Sequence, residues 1–124
     1  MNRELVARAE RVVAVLKSRL PREVREAAEE LPVSMWPRPT KAMRREGLEP
    51  DLLGLFVGPS AAESWEDGGG DVLPSEILLF LDNIWEEAEG DPDAFDEEVR
   101  ITYLHELGHY LGLDEDDVAA RGLE

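Results

Sequence analysis

The stretch HELGHYLGLDE, residues 105–115, holds both histidines of this 124-residue chain, four positions apart, with Glu106 directly after the first. Whether it lies on a helix decides the rest of the reading. Phe95, Val99, Tyr103, Leu104, Leu107 and Leu111 recur upstream and through it at spacings of three and four, as on one face of an amphipathic helix. Asp91 or Asp93 can cap that helix, Pro92 suits its first turn, and Asp96, Glu97 and Glu98 complement the positive end of its dipole. Gly112 is a natural stop, because glycine takes the left-handed backbone with which helices often end. On such a helix His105 and His109 differ by only about 40° around the axis, so both imidazoles reach one point.

Working back toward the amino terminus, residues 77–84, ILLFLDNI, form an apolar run of strand length that also suits a buried helix. Residues 59–74 contain EDGGGD, a glycine-rich loop with no lysine and no helix start to make it a phosphate cradle. LLGLFVG, 52–58, bounded by Pro50 and Pro59, predicts a buried strand. TKAMRREGLEP, 40–50, reads as a polar loop, and PVSMWP, 32–37, as an extended edge segment between prolines. Leu5, Val6, Ala9, Val12, Val13 and Leu16 mark an amphipathic helix over 3–19, and Pro21 opens a second one through Leu31. Trp36, Trp65 and Trp85 read as packing residues. Helices, a few short strands and a long carboxyl-terminal helix make an α+β domain, with residues 1–124 as a single unit.

Composition narrows the function. With 13 Lys and Arg against 29 Asp and Glu the formal net charge is −16, which repels phosphate backbones and argues against a nucleic-acid partner. There is no cysteine, so disulfides and thiolate metal sites are excluded and any metal must use imidazole, carboxylate or water. No stretch has the length of a membrane span or the form of a signal peptide, and the expected location is the cytoplasm.

Two histidines at i and i+4 followed by this glutamate are the arrangement H-E-x-x-H, in which the histidines bind zinc and the glutamate serves as general base. The competing structural reading is that two imidazoles simply sit at a helix carboxyl end, where the dipole favours them. A catalytic zinc needs a third protein ligand and leaves a position for water. Asp114 and Glu115 both follow Gly112 closely enough for a turn to carry them back over the histidines, whereas Asp116 and Asp117 read as a solvated acidic tail.

The full pattern, H-E-x-x-H-x-x-G-x-x-D/E, resembles that of the zincin superfamily. It is most similar to the small bacterial zincin-like metallopeptidases with a reduced, matrix-metalloprotease-like fold. His105, Glu106, His109 and Gly112 match the motif, and Glu115 stands where metzincins have their third histidine. The order of elements over residues 50–118 is similar as well. The resemblance implies a minimal zincin-like domain with amino-terminal helices, a small mixed sheet of short strands and an active-site helix. It implies a zinc ion on His105, His109 and Glu115, with Asp114 as the second choice for third ligand, and Glu106 as general base. The implied activity is hydrolysis of peptide bonds in a peptide or protein substrate, whose backbone would add to a strand edge; ILLFLDN, 77–83, is the edge the sequence suggests. Tyr103 and Tyr110 could donate to an oxyanion, although packing is the commoner role for tyrosines on such a helix.

The chain departs from metzincins in having no methionine turn, for its methionines are Met1, Met35 and Met43, and only nine residues follow Glu115. A shallow, open cleft is the expected consequence. The alternative is a non-catalytic metal- or peptide-binding module on the same scaffold, against which the presence of Glu106 argues. A third reading, from the related H-x-x-x-H-x-x-G-x-x-H spacing of bacterial ribosomal-RNA-processing endoribonucleases, conflicts with Glu106, Glu115 and the acidic charge.

Overall fold

A computed structural model describes residues 2–60 and 75–112. Their elements run α1 (Arg3–Arg19), α2 (Arg22–Glu29), β1 (Val33–Trp36), α3 (Lys41–Arg45), β2 (Gly54–Val57), β3 (Glu76–Phe80), α4 (Leu81–Glu87) and α5 (Pro92–Tyr110). The architecture is α+β: helices pack against a three-stranded mixed sheet of order β1-β3-β2.

The first helix starts where Asn2 accepts hydrogen bonds from the backbone N–H groups of Glu4 and Leu5, at 2.8 and 3.4 Å. Leu5, Ala9 and Val13 bury one stripe, with Val6, Val12 and Leu16 packed at its margins. That stripe lies against α5, and Arg8 Nε ties the pair to Asp96 at 2.7 Å. In the second helix Val24 and Ala28 face the core, and the helix ends at Glu29, short of the expected Leu31, which still buries fully as the chain turns.

The sheet explains two corrections. Parallel pairing sets Val33 opposite Ile77 and Trp36 opposite Phe80; antiparallel pairing sets Gly54 opposite Leu79 and Val57 opposite Glu76. The apolar run 77–84 is therefore both things its sequence allowed, strand to Phe80 and helix from Leu81. Its strand is the centre of the sheet, not the edge expected to receive a substrate, and it is buried almost throughout for that reason. By contrast β2 is only half-buried along its length, since among the described residues nothing pairs with its outer side. The segment expected to be a wholly polar loop, 40–50, contains α3, which begins where Thr40 caps the N–H of Met43 at 3.2 Å. This short helix buries none of its residues, so no apolar periodicity announced it.

The long helix begins as expected, with Asp91 as cap, accepting from Asp93 N at 3.1 Å, and Pro92 in the first turn. Phe95, Val99, Tyr103 and Leu107 are fully buried, and Trp85 meets Phe95 edge-on at 5.8 Å between ring centres. Gly112 has φ +74°, and its N–H reaches the His109 carbonyl at 3.0 Å, the left-handed ending its position suggested. No helix among the described residues is long and apolar enough to cross a membrane.

Candidate metal centre and cleft

The face of α5 turned away from the core carries Glu98, Thr102, His105 and His109. These positions, i, i+4, i+7 and i+11, stay within about 60° of one another around the axis. Beside them, across a groove of about 510 Å³, runs the segment from Leu52 to Phe56, which includes the start of β2. Ile101 and Glu106 complete the helical wall. Among the described residues the groove is lined mostly by apolar surface.

His105 Nε2 and His109 Nε2 are 3.0 Å apart, with the two rings tilted by 54°. Two nitrogens each about 2.0–2.1 Å from a tetrahedral zinc would stand close to this separation. A hydrogen bond between a protonated and an unprotonated imidazole nitrogen has the same length, so the distance alone admits both states. Glu106 lies beside the pair. The residue is 8% exposed and lines the groove, and its carboxylate has neither a hydrogen bond nor an ion pair among the described residues. A carboxylate set on a groove beside two imidazoles is free to meet a cation or a water there. One ligand atom from each of His105, Glu106 and His109 falls within 4.8 Å of the others, so the donor set fits a small divalent ion. Glu115 and Asp114, the two expected candidates for third ligand, lie outside the described residues, as does Trp65.

Several residues that shape the groove carry no motif. Gly54 is the point at which the strand crosses the helix. A Cβ built there would come within 2.5 Å of Thr102 Cγ2 and 3.3 Å of the Leu78 carbonyl, so only glycine lets strand and helix approach this closely. The available signal was a glycine inside an apolar strand run. Asn83 is buried, and its amide nitrogen donates to the carbonyls of Pro50 and Leu52 at 2.8 and 2.9 Å, fixing the approach to β2. Arg38 in turn donates to Asn83 Oδ1 at 2.7 Å and pairs with Glu86 at 2.6 Å. An asparagine within ILLFLDNI was the only hint of that latch.

Both tyrosines on the helix pack rather than face the histidines. Tyr103 is wholly buried, on the side of α5 opposite His105, and its hydroxyl has no hydrogen-bond partner among the described residues. Burial raises its phenol well above the ordinary value. Tyr110 meets Phe56 edge-on at 5.6 Å, joining the helix end to β2, and its phenol is raised by burial and then by the Glu30 carboxylate.

His105, Glu106 and His109 form a group that could hold a metal ion, beside a groove walled by the start of β2. The family model described as zincin-like metallopeptidase matches residues 28–123, and the chain belongs to that family. The match reaches further upstream than residues 50–118, taking in β1 and α3. No curated protein matches the chain.

Proposed function

We propose that this protein is a zinc-dependent metallopeptidase that hydrolyses peptide bonds, with His105, His109 and Glu115 holding the metal and Glu106 acting as general base. The observation that carries this reading is the grouping on the groove of Glu106, which has no partner among the described residues, with two imidazole nitrogens 3.0 Å apart. When bound, the ion would supply Lewis acidity, acidifying a water and polarising the scissile carbonyl. Glu106 accepts the proton from the attacking water and delivers it to the leaving amine. Gly54 to Phe56 offer a strand edge along the groove that is unpaired among the described residues, to which an extended peptide adds through main-chain hydrogen bonds. This edge, β2, takes the part that the sequence had suggested for residues 77–83.

The test has two stages. Elemental analysis of untagged protein, dialysed against trace zinc, should find close to one zinc per chain. Hydrolysis of an unfolded protein substrate by the wild type but not by Glu106→Gln would then support catalysis. Stoichiometric zinc with equal behaviour of the two proteins would remove the peptidase reading and leave a non-catalytic binding module.

A further inference from the structure

The acidic residues at the start of α5 divide into two kinds. Asp96 pairs with Arg8 at 2.7 Å, and Glu97 pairs with Arg100 at 2.5 Å. Glu98, between them in the chain and Arg100, points the other way, into the groove, where its carboxylate has no ion pair or hydrogen bond among the described residues. It is half-buried, and its neighbours on the groove wall are apolar: Leu52, Leu53, Leu55 and the exposed Ile101. No Lys or Arg lines the groove among the described residues. A fixed negative charge beside low-dielectric walls attracts cations more strongly than the same charge on an open surface.

Its position relative to the histidines sets a register. Glu98 lies seven residues before His105 and eleven before His109, so it stands about 13.5 Å along the helix axis from the middle of the pair. An extended peptide advances about 3.3 Å per residue, so a side chain reaching Glu98 belongs to a residue about four positions from the bond held at His105 and His109. We infer that Glu98 is a specificity-determining residue, which selects peptides carrying Lys or Arg about four residues from the scissile bond, with aliphatic side chains between. This rests on the peptidase reading for the meaning of the scissile bond. The charge preference itself is a property of the groove.

The experiment uses the full chain loaded with zinc and a set of otherwise identical apolar peptides. Each carries Lys, Gln or Glu at one position, stepped about three, four or five residues to either side of the cleavage point. Cleavage is followed with the wild type, Glu98→Gln and Glu98→Lys, and binding of the same peptides is measured with Glu106→Gln and with Glu106→Gln carrying Glu98→Gln. The expected result is a preference for Lys over Glu of about fivefold or more at the offset of about four residues. It should collapse toward unity in Glu98→Gln and invert in Glu98→Lys. Thermal melts of the variants, matching wild type, ensure that folded proteins are compared. A Lys-to-Glu ratio that is near unity in the wild type, or that survives in Glu98→Gln, overturns the inference. If no peptide is cut but the binding preference follows Glu98, the peptidase reading fails and the selectivity stands. If peptides are cut without regard to Glu98, the reverse holds.

Discussion

The two faces of α5 obey different rules. On one, Phe95, Val99, Tyr103 and Leu107 are shut into the core, and each is held by the shape around it. On the other, Glu98, Thr102, His105, Glu106 and His109 line a groove, and packing accounts for only one of them, Thr102, which meets Gly54. Residues on the first face are explained by the volume they fill. Those on the second, Glu106 above all, are polar groups that no packing demand calls for, converging on one point of the groove. A helix with one face set by packing and the other by converging polar groups is what a site looks like.

That contrast breaks most visibly at residues 106 and 107, which are adjacent in sequence but on different faces. Glu106→Gln should lower peptide hydrolysis by about 10²–10⁴-fold, while its melting temperature stays level, because the carboxylate makes no hydrogen bond or ion pair among the described residues that the amide would lose. Leu107→Ala should do the opposite. It should cost about 2–5 kcal/mol in chemical denaturation and leave zinc affinity of the folded fraction near wild type. Should Glu106→Gln prove as destabilising as Leu107→Ala, the acid has a structural partner and the division of faces is wrong.

A smaller effect sharpens the comparison where the faces meet the sheet. Gly54→Ala should cost about 1–3 kcal/mol, since strand, helix or both must shift. Adding Thr102→Ser, which removes the offending methyl, should recover part of that loss; purely additive costs in the double variant would show that the contact is not the cause. The smallest effect belongs to the core face. Tyr103→Phe removes a buried hydroxyl without a partner among the described residues and should leave stability at pH 7 unchanged or raise it by about 1 kcal/mol. The folded protein holds the Tyr103 proton above the pH at which the unfolded chain releases it. Stability contributed by that neutral phenol is complete below about pH 10 and falls as pH rises beyond it, by up to about 1.4 kcal/mol per pH unit. Tyr103→Phe should flatten this decline, and an unaltered slope in denaturation measured from pH 9 to 11 would count against the burial of the phenol.

The core face was legible because periodicity is a local property: Phe95 to Leu107 repeat with the helix, and the first helix did likewise. The histidines were legible for the same reason, four residues being a distance the sequence itself measures. The groove's far wall was not. Gly54 meets Thr102, and Asn83 meets Pro50 and Leu52, across separations that no window along the chain spans. Strand order is likewise a matter of long-range pairing, so the apolar run 77–83 gave its burial correctly but not its central place. The exposed helix α3 escaped because only a cap and its propensity hold it, with no buried stripe to betray it.

The parallel pairing of β1 with β3 has a consequence for the order of assembly. Val33 and Ile77 are 44 positions apart, whereas Val57 and Glu76, which join β2 to β3, are only 19 apart. Closure entropy rises with the length enclosed, and contacts of long range form late. During refolding the β2–β3 pair, and with it the groove wall beside the histidines, can thus form before β1 adds to the other side of β3. The wall that faces the site does not wait for the strand farthest from it.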